Sequence, residues 1–440
     1  MKKARVLVER SRRRTGAALT GALLLLGALT ACAGDNEPTS LSAAEVFYLS
    51  PHSNQKLFPL RVNGSDFTAL TGKRRLTVDV PASSRDVVRL RENSPDCTGS
   101  ATHVTCDIAG TLLSGGTSDF TPLAAKGSKP GDTGQLRLSY GRKDGRKLTA
   151  RTRVVVGAPV LEVLTPKAFK GVRPGAEVTS PVVVRNTGDV TANGLVLVVN
   201  AGDLEFARRH ANCRYPDLQH GSQAVCRFPD VRIPPGKAVT VRSGLRLRAS
   251  DTKMYGSFNR AVWPLDAGPG QNQNSSKGGD HGDGPALRAE PAKTTSGRFT
   301  RAGDFVDVLL DTHADYEVSG ADLHGDPGDT RKLRLTVRND GPGDPGYAAR
   351  LIFSPPLGVT VLKQPTREID EDEYQPYCDN NGSTYTCDVE RLEPGTSRTF
   401  EFTVRLGEPG KGSVSLLDIK PPGRRDTDPS DDEASVDVLG

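Results

Sequence analysis

From Arg331 the chain reads RKLRLTV, with Leu333, Leu335 and Val337 alternating against Arg334 and Thr336. Apolar residues at a period of two, with β-branched types among them, predict a strand with one buried and one wet face. The alternation returns in AVTVRSGLRL from Ala238, in FEFTVRL from Phe400 and in KLTARTRVVVG from Lys147. Pro-Gly and Asn-Gly turn signals stand between these runs, and no long window shows the 3.6-residue period of a helix. Short alternating strands separated by turns predict antiparallel β-sandwiches.

The pattern repeats. RPGAEVTSPVVVRNTGD starts at Arg173 and DPGDTRKLRLTVRNDGP at Asp326. In both, a Pro-Gly (Pro174-Gly175, Pro327-Gly328) stands eleven positions before an Arg-Asn (Arg185-Asn186, Arg338-Asn339). An apolar stretch, a cysteine pair and a second Pro-Gly, at Gly236 and at Gly395, follow in each. RNTGD and RNDGPGD read as turns, because Asn and Gly tolerate positive φ. A looser first copy aligns RRLTVDVPAS at Arg74 with LRLTVRNDG. The expectation is an all-β chain of three tandem sandwiches, over residues 41–157, 158–292 and 303–440. Residues 268–284, rich in Gly, Asn and Gln, have little to bury and read as a mobile loop inside the second unit. GPALRAEP after them reads as one more short strand. Trp263, the one tryptophan, sits beside that loop and reads as a packing residue at a sheet edge rather than a ligand platform.

Seven cysteines raise the question of an odd one. Six fall into close pairs: Cys97 with Cys106, Cys213 with Cys226, and Cys378 with Cys387. Zinc would want C-x2-C or nearby histidines, and neither is present. Outside the cytoplasm such pairs read as disulfides, and one pair per unit makes three local bridges the economical arrangement. The seventh, Cys32, follows a basic stretch over residues 1–15 and an uncharged run over 16–31, the layout of a secretory signal. Leu29-Thr30-Ala31-Cys32 resembles the bacterial lipobox. That resemblance implies a signal peptide over residues 1–31, a diacylglyceryl group on Cys32, and a tether over 32–40. It places the mature chain on the outer face of the cytoplasmic membrane. A twin-arginine reading of SRRRTG is weaker, because Thr15 and Gly16 are not bulky and apolar.

VVVRNTGDVTANGLVLVV with IPPGKAVTV resembles the Ig-like repeats of actinobacterial surface proteins and related bacterial adhesion and surface-repeat domains. DTDPSDDEASVDVLG resembles the last strand of that group. The resemblance covers most of residues 40–440. It implies sandwich modules used as spacers or binding surfaces, and it carries no catalytic residues to transfer.

Charge is segregated. Residues 32–300 hold 36 Lys and Arg against 24 Asp and Glu, net +12, and residues 301–440 hold 15 against 28, net −13. A basic part would be drawn to anionic lipid or wall polymer at short range. Aromatics make up 5% of the chain, too few for the stacking surface of a nucleic-acid binder. Among His52, His103, His210, His220, His281, His313 and His324 there is no H-E-x-x-H, and the chain has no G-x-S-x-G and no P-loop. Asp426, Asp428, Asp431 and Asp432, like the acids of REIDEDEYQ, read as a solvated turn rather than a calcium site. No catalytic, cofactor or metal residue is expected. The expected function is a lipid-anchored, non-catalytic envelope protein presenting a binding or adhesion surface, its ligand an envelope protein or glycan. The alternatives are a structural spacer and an accessory subunit of an envelope hydrolase.

Overall fold

In the computed structural model, residues 38–49, 57–64, 73–109, 116–142, 145–218, 221–267, 278–293, 296–301, 303, 305–346, 349–370, 373–417 and 428–440 are described. The expected signal peptide, Cys32 and residues 32–37 of the expected tether lie outside the described residues, whereas residues 38–40 of that tether belong to the strand Pro38–Ala43, which pairs with Leu60–Gly64. The only helical segments among those residues are the 3₁₀ turns Ala82–Ser84 and Leu265–Ala267, and no described helix is long and apolar enough to cross a membrane.

Three large sheets share one strand order. The first runs Val46–Leu49, Lys147–Val156, Thr133–Gly141, Lys73–Asp79, His103–Ala109, Cys97–Ser100. The second runs Phe169–Val172, Val306–Leu310, Tyr255–Pro264, Ala192–Gly202, Ser222–Ile233, Cys213–Tyr215, with Asp280–His281 added at the edge. The third runs Ala321–His324, Glu433–Leu439, Gly410–Leu417, Ala349–Ser354, Tyr385–Val389, Cys378–Asn380. In each, the first-named strand lies parallel to its neighbour, while the other pairings are antiparallel. The result is three antiparallel β-sandwiches in tandem.

The opposing sheets follow the alternation. Thr330–Asn339 pairs with Ser397–Arg405, setting Leu335 opposite Phe400 and Leu333 opposite Phe402. These close on Leu351, Phe353, Val414 and Val436 of the large sheet. Burying each such side chain stabilises by about 2 kcal/mol. Glu177–Asn186 and Ala238–Ala249 do the same in the middle unit. In the first unit the opposing layer is reduced to two strand pairs, Pro38–Ala43 with Leu60–Gly64 and Val88–Glu92 with Phe120–Ala124.

Two expectations are corrected by the pairings. The third unit was expected to begin at 303, but Val306–Leu310 pairs with Tyr255–Pro264 and Phe169–Val172. It is the last strand of the middle sandwich, packed in its core through Val306, Val308 and Leu310. An alternating strand shows which residues it buries, not which sheet receives them. The second correction concerns the repeat. Leu76 stands opposite Cys106 as Leu197 stands opposite Cys226 and Leu351 opposite Cys387. RRLTVDV is therefore the counterpart of NGLVLVV and ARLIFS, not of LRLTVRNDG. The true counterpart of Asn186 and Asn339 is Asn63, because Ser40 pairs with it as Leu161 and Tyr316 pair with theirs.

Of the mobile loop expected over 268–284, residues 268–277 lie outside the described residues, and the rest is not free: Asp280–His281 pairs with Cys213–Tyr215, and Ala289–Pro291 follows on Ala238–Ala249. Trp263 is half-buried on the outer face of the large sheet, against Val196, Val198 and Val225.

Each cysteine pair is a bridge between directly opposed residues of neighbouring strands, with Cα–Cα distances of 4.0, 3.9 and 4.1 Å. The bridges therefore staple hairpins at the same edge of each large sheet. Closing such short loops stabilises by about 3 kcal/mol each in the chain-entropy model. Replacing Cys378 and Cys387 together by serine is expected to lower the stability of the third unit by that amount in urea titrations. An unchanged midpoint would refute it.

Candidate functional site

Asn186 and Asn339 are fully buried. A buried primary amide must find partners for two donors and two acceptor sites. Asn186 Nδ2 donates to the carbonyls of Val190 and Ile233, at 2.8 Å each, and Oδ1 accepts from Val160 N and Gly188 N at 3.0 and 2.9 Å. Asn339 repeats this: Nδ2 donates to Gly343 and Leu392, and Oδ1 accepts from Asp315 N and Gly341 N. Their backbones also hold the second Pro-Gly turn, through Gly236 N and Gly395 N. These residues were expected as positive-φ turn formers. Neither has positive φ, and both work instead as hubs that tie four backbone groups together.

Val160 and Asp315 lie where the chain enters the second and third units, so the hubs sit at the joints. At the first joint, Val46, Tyr48 and Val155 of the first unit pack on Val190 of the second. Tyr48 Oη donates to Asp266 Oδ2 at 2.8 Å, and burial followed by that bond raises its pKa. Ala158 N donates to Asp189 Oδ1 at 2.6 Å. Gly188 passes so close that a Cβ there would stand 2.1 Å from the Ala158 carbonyl oxygen.

At the second joint the turn over 250–254 of the middle unit enters the third. Met254 is buried within the core of the third sandwich. Met254 N donates to Asp344 O at 3.0 Å, and Asp344 N to Thr252 O at 2.6 Å. The Asp344 carboxylate, 1% exposed, accepts from Lys253 Nζ at 2.7 Å across the joint. Arg391 Nε reaches its two oxygens at 2.9 and 2.8 Å, and Arg391 Nη2 also bonds it. Burial opposes ionisation of Asp344, but the bonds from Arg391 and Lys253 outweigh it and hold the carboxyl below its usual range. Lys253 and Asp344 are 91 residues apart, and no local pattern announces their meeting.

One element stands away from the sandwiches. Thr366–Asp370 and Glu373–Pro376 form a two-stranded ribbon with no third strand among the described residues. Its first strand is exposed throughout, Ile369 is 49% exposed and Tyr374 60%. Its sequence is acidic: Glu368, Asp370, Glu371, Asp372 and Glu373 against Arg367. Its root is fixed by Tyr377, which packs edge-on against Phe400 and takes Arg398 over its ring at 4.8 Å. Tyr377 Oη donates to Glu390 at 3.0 Å, and burial and that bond push its pKa up to about 12. A lone two-stranded ribbon is marginal in water, and this one keeps two large apolar side chains exposed.

The other sequence candidates do not converge. Asp428 Oδ1 accepts from Ser430 N and Oγ, and Asp431 O accepts from Val318 N, so these residues build the turn before the last strand. Asp426 lies outside the described residues. Among the described residues no three His, Cys, Asp or Glu stand together as a metal site would require. His103 pairs with Asp79 at 2.6 Å, while His210 and His281 bond to backbone carbonyls. Arg260, buried and without a carboxylate partner among the described residues, donates to Ser180 Oγ, Pro181 O and Leu164 O across the middle sandwich. Burial pushes its pKa down to about 10. It fastens one sheet to the other.

No family model matches the chain, and no curated protein matches its sequence. Among solved structures it is similar to a tetra-tandem repeat in the extending region of a large adhesion protein, at 12% identity over 91% of this chain and 73% of that one, with a TM-score of 0.24. A membrane anchored protein from Corynebacterium diphtheriae is similar at 11% identity over 91% of both chains, TM-score 0.16. The titin I-band fragment I67-I69 is similar at 8% identity over 90% and 96%, TM-score 0.16. At these scores the likenesses carry no functional argument, and the fold is read from the sheets themselves.

Proposed function

We propose that this is a non-catalytic, lipid-anchored envelope protein that holds a contact surface at a fixed orientation outside the cytoplasmic membrane. The observation that carries the reading is the acidic ribbon of Thr366–Asp370 and Glu373–Pro376. Surface apolar groups held out on a rooted ribbon are what a binding element offers. The joints support the same reading, since they fix each sandwich against the next. A pure spacer would need the joints and not the ribbon. The anchor rests on the Leu29–Cys32 motif, and the disulfides agree with an extracytoplasmic location.

The test is a photo-reactive aromatic residue in place of Tyr374 on intact cells, with mass spectrometry of what it captures. The expected result is a discrete adduct at 374, absent when the same group replaces exposed Leu218. Equal, diffuse labelling at both positions would favour the spacer. In the same cells Cys32→Ser is expected to lose the acyl group and leave the membrane fraction. Normal processing and membrane retention of that variant would refute the anchor.

A further inference from the structure

The ribbon's chemistry has a counterpart on the same chain. Where the two sheets of the middle sandwich part, between Ser222–Ile233 and Ala289–Pro291, lies an open groove of about 500 Å³. Its floor is apolar, made by Phe228, Val239 and Leu287 of the core. Arg227 and Arg288 are exposed on its rim, and among the described residues neither guanidinium has an ion pair or hydrogen-bond partner. Of the acids lining it, Glu290 is taken by Arg242, which leaves Asp230 against the rim arginines and Arg232. An apolar floor within a cationic rim fits an apolar or aromatic anchor flanked by carboxylates. The ribbon supplies that set in Ile369, Tyr374, Glu368 and Glu373, all of them exposed.

We infer that the acidic ribbon of one copy docks in the arginine-rimmed groove of a second copy. The charge balance of the whole chain favours the same partner, since net −13 over 301–440 faces net +12 over 32–300. Long-range attraction of this kind steers encounter and sets register. The inference rests on reading the ribbon as a contact surface and names its occupant.

The test is sedimentation of the purified full chain in density-matched detergent, across concentration and salt. Mass is expected to rise with concentration in about 0.01 M salt, where the screening length is about 30 Å. It is expected to fall to the monomer in about 1 M salt, where that length is about 3 Å. Arg227→Glu with Arg288→Glu, and separately Glu368→Lys with Glu373→Lys, should each weaken association by about tenfold or more. Mixed one to one, the two variants should associate again, because each opposite-charge pairing is restored between them. All four positions are exposed, so circular dichroism and melting should match the parent chain. A chain that stays monomeric in low salt, variants that associate like the parent, or a mixture that does not recover would overturn the inference. If Tyr374 captures another polypeptide on cells while the pure chain stays monomeric, the second copy is excluded and the contact surface stands. If it captures nothing, both fail.

Discussion

Asp344→Ala is expected to destabilise the third sandwich by about 3 kcal/mol and to uncouple it from the second. Removing one partner of a buried ion pair strands the other charges, at about 3–5 kcal/mol. The low end applies because the Arg391 side chain is 43% exposed and regains water, whereas Lys253 is 15% exposed. The loss should be read in urea titration, and the uncoupling in faster hydrogen exchange at the Met254 and Asp344 amides. Lys253→Met removes only the bond across the joint and should speed exchange at those amides at a smaller stability cost. Unaltered exchange in both variants would refute the coupling of the two sandwiches through Asp344. The pH dependence follows from the depressed carboxyl. Its contribution is fully present above the unfolded value near pH 4 and is lost as pH falls through the lower folded value. The joint should therefore be insensitive between about pH 5 and 8 and loosen only in stronger acid. Asp344→Asn should flatten that acid limb.

Asn339→Ala is expected to cost about 4 kcal/mol. It leaves two carbonyls and two N–H groups without the partner they share, and each buried unsatisfied group costs about 1–3 kcal/mol before relaxation. For a unit of this size the melting temperature should drop by about 10 °C or more. Asn186→Ala should behave alike in the middle unit. Asn63 provides the internal control: it occupies the same register but is exposed and donates to Ser40 Oγ at 2.9 Å. Asn63→Ala should stay within about 0.5 kcal/mol. Equal losses at Asn63 and Asn339 would show that burial of the amide is not what matters.

These residues also show how far the sequence could be read. Leu333, Leu335 and Val337 announce their strand because burial on a pleated sheet has a period of two. The cysteines announce their pairing because each bridge is local. Asn186 and Asn339 are visible as a repeated Arg-Asn, but their chemistry is not, since Asn serves equally as a turn former and as a buried hub. Only the fourfold bonding in three dimensions separates the two. The first unit does not align as a string, because RRLTV resembles RLTVR while the counterpart is fixed by which strand faces the cysteine. Met254 entering a neighbouring core, and Lys253 meeting Asp344, depend on tertiary placement alone. The ribbon's acids were legible, but its separation from the sheets was not, because it too reads as an alternating hairpin.

The parallel pairing that opens every large sheet has a mechanical consequence. In each unit an early strand lies alongside the last one, so tension applied to the two ends of the chain would load the bonds between them in shear, all at once, rather than peel them singly. The first and third units present four consecutive residue pairs to that load. The middle one presents Phe169 with Val308 and Val172 with Leu310, separated by a register break. Under a pull along the chain, the middle sandwich is expected to yield first.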